Sequence, residues 1–169
     1  MCTSREIELI RTSWAAVQSD VDRFIRLFYE HLFEIDPVLR TLFTADPATQ
    51  GRVLAGALQT LVDGLAKPVT QVAPLRRLGA RHVHYGAKDR HYLSVGTALR
   101  RSLAKMLGER FSADVEDAWT AFYATVTSIM RSGARAQGDE ALAARQAARV
   151  AKAAPGAFGG CVHVHGCGA

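Results

Sequence analysis

The 169-residue sequence contains no asparagine and no stretch in which Val, Ile or Thr alternates with polar residues between turn signals. Asn-Gly turns and period-two alternation are the usual sequence signals of β-hairpins. Their absence argues against a hairpin-rich β protein. The apolar residues recur instead at helical spacing, which predicts an all-α chain.

Long apolar runs and body cysteines are also missing. No run reaches eighteen apolar residues, although 49% of the residues are hydrophobic, so we expect a sizeable core and no transmembrane segment. The three cysteines, Cys2, Cys161 and Cys167, lie near the two ends, so no disulfide framework is expected. The N-terminal MCTSREIELI lacks the basic and apolar parts of a secretory signal, which predicts a cytoplasmic protein.

The positive charge is concentrated at one end of the chain. Of the net charge of +5, residues 131–169 contribute +3, which leaves the first 130 residues close to neutral. A nucleic-acid-binding body would carry a basic patch, so no nucleic-acid partner is expected.

Local signals mark the helices. Thr3 with Glu6 has the spacing of a capping box, and Asp46-Pro47 has the form of a cap followed by proline at the first helical position. The buried stripe of the helix after Pro47 is predicted to be Val53, Leu54, Ala57, Leu58 and Leu61. Pro68 and Pro74 are predicted to bracket a break. Similar apolar stripes predict helices around residues 25–33, 75–82, 92–106 and 115–129.

The composition changes after about residue 136. The segment EALAARQAARVAKAA is helix-prone but has little to bury, and Pro155-Gly156 is expected to end it. We therefore divide the chain into a domain of residues 1–136 and an appendage of residues 137–169 that ends in a flexible tail.

Two histidines in LGARHVHYG raise the question of which faces inward. Leu75, Leu78 and His82 fall at i, i+3 and i+7, which places His82 on a buried stripe, whereas His84 is about 200° away and faces solvent. Taken alone, this pattern favours a core histidine bonded to a carbonyl. Tyr29 and Gln50 lie on the inner faces of two other helices, however, so three helices bring polar groups inward.

The segments FYEHLFEIDPVLRTLF, LGARHVHYGAKDRHYLSVGTAL and DAWTAFYATV resemble the globin family in order and spacing. The likeness covers about residues 4 to 135 and is greatest to single-domain bacterial haemoglobins and the globin domain of flavohaemoglobins. It implies an all-α globin fold holding haem b, with His82 as the proximal iron ligand. Pro37 matches the proline after the second helix, and Phe43 matches the phenylalanine that packs on the haem.

The resemblance also assigns the opposite side of the haem. Tyr29 and Gln50 match the distal tyrosine and glutamine, and Leu54 matches the residue above the iron. Hydrogen bonds from Tyr29 and Gln50 to bound oxygen would slow its release. His31 is expected to pack away from the haem, and His91 is expected to be structural.

An iron with one imidazole ligand keeps a sixth position for O₂, CO or NO, so the resemblance implies an O₂ carrier, store or sensor. One alternative is a nitric oxide dioxygenase that uses a reductase in trans, since no flavin or nicotinamide motif follows the globin region. A haem-free regulatory protein of the same fold is a third reading, and His82 together with Tyr29 argues against it.

One position departs from the flavohaemoglobin pattern. Tyr92 matches a tyrosine that pairs with a glutamate behind the proximal histidine in that family. No carboxylate occurs between Asp117 and Asp139, and ungapped counting puts Ala134 at the place of the glutamate. The resemblance therefore implies a less basic proximal imidazole.

The tail alternates Cys161, His163, His165 and Cys167. These are ligands for zinc or copper, but the spacing is that of no standard zinc module. A folded-back metal site, a reversible Cys161–Cys167 disulfide and a tail of no fixed function all remain open.

Overall fold

The structure is a computed structural model that describes residues 2–42 and 46–153. Within these ranges all regular secondary structure is helical, which confirms the all-α prediction. The helices are α1 (Ser4–Gln18), α2 (Val21–Ile35), α3 (Pro47–Asp63), α4 (Pro68–His84), α5 (Asp89–Leu107) and α6 (Ala113–Ala153). Short 3-10 turns cover Pro37–Leu42, Gly64–Ala66 and Gly108–Arg110. No helix in these ranges is long and apolar enough to cross a membrane.

Both predicted helix starts are present. The Thr3 hydroxyl accepts a bond from the Glu6 N–H at 3.2 Å, and the Glu6 carboxylate accepts one from the Thr3 N–H at 2.6 Å. The Asp46 carboxylate accepts a bond from the Thr49 N–H at 2.9 Å at the start of α3. These caps satisfy N–H groups that have no partner within the helix.

The predicted break between the two prolines is wrong. Helix α4 begins at Pro68 and continues through Pro74. Pro68 stands in the first turn, where an N–H has no helical acceptor, so proline favours a start there. Pro74 lies inside the helix, where it lacks the N–H that would donate a backbone hydrogen bond, and it does not mark the start of the helix.

The predicted stripe of α3 is also partly wrong. Val53 is 69% exposed and Ala57 is exposed as well. The buried row of α3 is Gly51, Ala55, Leu58 and Val62. Gln50, Leu54 and Leu61 are half-buried beside this row, so they line its edge instead of the core.

The core joins α1, α2 and α6 through aromatic residues. Trp14 meets Phe24 edge-on with ring centroids 5.4 Å apart, and Trp119 lies 6.0 Å from Trp14. The indole N–H of Trp119 donates to the Ser13 hydroxyl at 2.9 Å, and that of Trp14 donates to Gln59 Oε1 at 2.8 Å. Each buried indole therefore keeps its hydrogen bond, which avoids the cost of an unpaired donor.

The chain divides into two units, Met1–Ala136 and Gln137–Ala169. In the second unit the chain is helical as far as Ala153, and every side chain from 138 to 148 is exposed. Pro155-Gly156 and the tail with Cys161, His163, His165 and Cys167 lie outside the described residues.

Candidate functional site

His82 lies half-buried in the last turn of α4. Its Nδ1 is 2.9 Å from the backbone oxygen of Leu78. Because a carbonyl oxygen only accepts hydrogen bonds, this contact places the proton on Nδ1. The lone pair of Nε2 is then available to bind a metal ion, and the ring orientation is fixed by the backbone.

Two tyrosine rings flank His82. The Tyr92 ring is inclined to the imidazole by only 21°, with centroids 6.3 Å apart, and the Tyr85 ring lies edge-on at 6.2 Å. Tyr92 is half-buried, whereas Tyr85 is 65% exposed. Burial raises the pKa of the Tyr92 hydroxyl. Tyr92 is therefore the neutral aromatic neighbour that shields one side of His82.

The position of His82 depends on a close crossing of α4 and α6. A Cβ atom added to Gly79 would overlap the backbone of Met130, and one added to Gly133 would overlap the backbone of Arg76. These two glycines let the helix backbones approach without intervening side chains. Gly79 is one turn before His82, so this crossing anchors the turn that carries the imidazole.

A second crossing arranges Tyr29 and Gln50. A Cβ atom on Gly51 would overlap the side chain of Ile25, which packs α3 closely on α2. Tyr29 follows Ile25 by one turn, and Gln50 precedes Gly51. Leu54 lies one turn further along α3. The three residues that the sequence assigned to one side of the site thus lie on the two helices that meet at this crossing.

Tyr29 is 7% exposed, and burial raises the pKa of its hydroxyl. Its ring packs against Phe28 at 5.4 Å and Phe33 at 5.6 Å. The tyrosine is thus a neutral hydrogen-bonding group held by aromatic neighbours.

The side-chain oxygen of Gln50, Oε1, is buried without a hydrogen-bond partner among the described residues. A buried amide oxygen without a partner costs about 1–3 kcal/mol. Such an atom is expected where a bound group completes the hydrogen bonding.

Arg131 is a site residue that the sequence reasoning missed. Its guanidinium carbon lies 5.3 Å from the centre of the Tyr92 ring, and its Nε is 3.2 Å from Asp89 Oδ1. Ala134 and Tyr92 border the same cavity of about 190 Å³. Helical spacing could have pointed to Arg131, because it is one turn before Ala134 on α6 and so lies on the same face of the helix.

Two other histidines of the described residues, His31 and His91, contact protein groups. His31 Nδ1 is 3.0 Å from the Ser102 hydroxyl, which itself donates to a backbone oxygen. His91 is 7% exposed, and its Nδ1 accepts a bond from the Lys88 N–H at 3.1 Å. His84 is exposed. The roles expected of these histidines remain predictions.

The residues at the site fit a haem. His82 presents an imidazole nitrogen that can bind iron, and the buried Tyr29 side chain carries a hydroxyl that can donate to a bound gas. Phe43 falls outside the described residues. Among residues 2–42 and 46–153 no group of three His, Cys, Asp or Glu could hold a metal ion, so His82 would bind iron only together with a group such as a porphyrin.

Comparisons with known proteins identify the family of this chain. A family model described as Globin matches residues 26–130. The flavohemoprotein of Xylella fastidiosa is 28% identical over 128 residues, which cover 74% of this chain and 32% of that protein. The anaerobic nitrite reductase AHB2 of Arabidopsis thaliana is 27% identical over 138 residues, 72% of this chain and 86% of that protein. The chain spans about a third of the length of the flavohemoproteins that it matches.

Solved structures give the same fold. The engineered carbene transferase RmaNOD, which carries the name of a nitric oxide dioxygenase from Rhodothermus marinus, matches with a TM-score of 0.73 and 26% identity. The match covers 85% of this chain and 99% of that chain. A hexacoordinated haem protein from an anhydrobiotic tardigrade matches with a TM-score of 0.70 at 17% identity, over 79% of this chain and 96% of that one, and this likeness concerns the fold alone.

Proposed function

Since this chain belongs to the globin family, we propose that it is a cytoplasmic haem b protein that binds O₂ reversibly through an iron held by His82. It serves as a carrier, store or sensor of O₂, and CO and NO are competing ligands. The observation that carries the proposal is the bond between His82 Nδ1 and Leu78, which leaves Nε2 for the iron. When bound, the haem would supply an iron that takes a diatomic gas.

His82 and its neighbours make up the proximal side of this site. The Leu78 carbonyl accepts the hydrogen bond from Nδ1, so Nε2 is the nitrogen left to face the metal. Tyr92 restricts the imidazole on one side. The ring is therefore oriented before any haem binds.

Tyr29, Gln50 and Leu54 make up the distal side, with Phe43 proposed to pack on the porphyrin. The Tyr29 hydroxyl and the Gln50 amide can each donate a hydrogen bond to a gas that carries partial negative charge. A net hydrogen bond contributes about 0.5–1.5 kcal/mol, which changes the residence time of the gas by up to roughly tenfold. Leu54 keeps the rest of this side apolar and limits the access of water.

Nitric oxide dioxygenation is the second candidate. It is favoured by the flavohemoprotein relatives and by RmaNOD, which carries the name of such an enzyme. In this reaction O₂ and NO combine to nitrate, and one electron must be returned to the haem. A flavin-dependent reductase would serve as the one-electron donor.

The test is the visible absorption spectrum of the haem-reconstituted protein in the ferric, dithionite-reduced, CO-bound and O₂-bound states. We expect stoichiometric haem uptake and a stable O₂ complex in the wild type, both disrupted by His82→Ala. His84→Ala is the matched control, because it removes an exposed histidine two residues away on the same helix.

A wild type that takes up no stoichiometric haem would overturn the proposal. Equal spectra for His82→Ala and the wild type would exclude His82 as the ligand. Addition of NO to the O₂ complex, with nitrate measured over many turnovers and a reductase supplied, separates the dioxygenase from the carrier.

A further inference from the structure

Arg131 is held in a fixed place behind the proximal side. Its Nη2 donates to the backbone oxygen of Asp89 at 3.2 Å, and its Nε lies 3.2 Å from Asp89 Oδ1 as an ion pair without hydrogen-bond geometry. Both contacts tie α6 to the first residue of α5. The guanidinium is therefore positioned by backbone as well as by charge.

The Tyr92 ring contacts both this cation and His82. The guanidinium carbon is 5.3 Å from the centre of the Tyr92 ring, and the same ring lies nearly parallel to the imidazole at 6.3 Å. The backbone oxygen of Tyr92 accepts a bond from the Tyr123 hydroxyl at 2.7 Å, which holds this part of α5 against α6. Two contacts thus connect Arg131 to Tyr92 and Tyr92 to His82.

The charge at this place is positive. An arginine side chain stays ionised at all relevant pH values. The Arg131 side chain is 30% exposed, whereas its partner Asp89 is 79% exposed, so water screens the carboxylate more than the guanidinium. Arg135 borders the same cavity and adds a second cation. The field that reaches His82 through the Tyr92 ring is therefore that of a net positive charge.

We propose that Arg131 is a positioning residue that raises the reduction potential of the haem iron bound to His82. This inference rests on the proposed haem site. A positive charge behind the imidazole lowers its electron donation and disfavours the more positively charged ferric state relative to the ferrous state. Arg131 thereby favours the ferrous, gas-binding form, which suits a reversible O₂ protein better than one driven through oxidation cycles.

The experiment uses the haem-reconstituted full chain and the variants Arg131→Gln, Arg131→Lys and Arg100→Gln. Arg100→Gln is the matched control, because Arg100 is also ion-paired in the groove between α5 and α6, with Glu116 at 3.5 Å, but no ring contact joins it to His82. The readouts are the ferric/ferrous midpoint potential and the iron–histidine stretching frequency of the reduced protein.

We expect Arg131→Gln to lower the midpoint potential and raise the stretching frequency. At a fixed applied potential the ferric-to-ferrous ratio should rise about fivefold, the effect of a unit charge about 10 Å away at an effective dielectric constant between about 20 and 80. Arg131→Lys should keep most of the wild-type potential, and Arg100→Gln should leave it unchanged.

Ala134→Glu provides a converse test, because it adds a carboxylate to the cavity shared by Tyr92 and Arg131. We expect it to lower the midpoint potential in the same direction as Arg131→Gln. It also keeps the proposal testable if Arg131→Gln does not fold, which far-UV circular dichroism would reveal.

Equal shifts from Arg131→Gln and Arg100→Gln would overturn the proposal, since net charge alone would then explain them. Unchanged potentials in Arg131→Gln with normal haem binding would overturn it while leaving the haem site intact. Failure of the wild type to bind haem would instead overturn the proposed function and this inference together.

Discussion

The two sides of the proposed haem site are built differently. The proximal side depends on α4, α5 and α6, where Gly79 allows contact with the Met130 backbone and Arg131 adds a charge. The distal side depends on α2 and α3, where Gly51 meets only the side chain of Ile25. A backbone contact can shift only if a helix moves, whereas a side-chain contact can adjust locally, so we expect the proximal side to be the more rigid. We infer that the rigid, charged proximal side sets the reduction potential of the iron, and that the adjustable, neutral distal side sets how long a gas stays bound.

The largest effect should come from filling the α4–α6 crossing. Gly79→Ala places a methyl group on the Met130 backbone, which cannot move without shifting a helix. We expect the free energy of unfolding to fall by about 2–3 kcal/mol, measured by urea denaturation. Gly51→Ala should cost less, about 1–2 kcal/mol, because only the side chain of Ile25 has to shift, although its β-branched form limits that shift.

Gly56→Ala is the control for both glycine variants. Nothing lies within 4 Å of a Cβ at Gly56 in the middle of α3, so helix propensity should stabilise this variant by up to about 1 kcal/mol. If Gly79→Ala and Gly56→Ala were equally stable, the proximal side would not be the rigid one.

A smaller effect is expected on the distal side. Tyr29→Phe removes a hydroxyl and keeps the ring packed on Phe28 and Phe33, so O₂ dissociation should become up to about tenfold faster in stopped-flow displacement by CO. Gln50→Leu should also speed O₂ release, and it should raise the free energy of unfolding by about 1 kcal/mol, since it removes a buried oxygen without a partner.

The comparison predicts that neither distal variant moves the midpoint potential as far as Arg131→Gln does. A distal variant that lowered the potential as much, at an unchanged O₂ dissociation rate, would reverse the assignment of roles to the two sides.

Sequence reasoning succeeded where the signal is local. The Thr3 and Asp46 caps need only a side chain three residues from an N–H, so spacing was sufficient. It failed at Val53, because the buried side of α3 is chosen by which helices it packs on. When the apolar stripe of a helix is wider than the surface that becomes buried, the sequence alone does not show which of its residues will be buried.

The candidate site shows the same limit. Tyr29 and His82 were found by residue type and the family resemblance, although their roles toward haem remain proposals. Arg131 was missed because a charged residue on a helix is usually solvated, and its contacts with Asp89 and Tyr92 span about forty residues. Only the packing of α6 on α5 brings these groups together.

The smallest predicted effect is the pH dependence of the free energy of unfolding, which again differs between the two sides. His91 precedes Tyr92 at the start of α5, and its pKa is lowered, chiefly by burial, with Arg90 and Lys88 adding to the shift and Asp36 opposing it. Above pH about 6.5, histidine is neutral in the folded and unfolded chains, so His91 adds no pH dependence there. Below that value the unfolded chain binds the proton first, and the folded state loses stability until His91 itself is protonated.

We therefore expect the midpoint of urea denaturation to fall as the pH is lowered from 7 to 5, and His91→Gln to reduce that dependence while keeping an acceptor for the Lys88 N–H. His84→Gln, on the exposed end of α4, should retain the full dependence. A pH dependence that survives His91→Gln unchanged would mean that the start of α5 does not titrate with folding. The neutral distal groups offer no such titration in this range, since burial moves the pKa of the Tyr29 hydroxyl further above it.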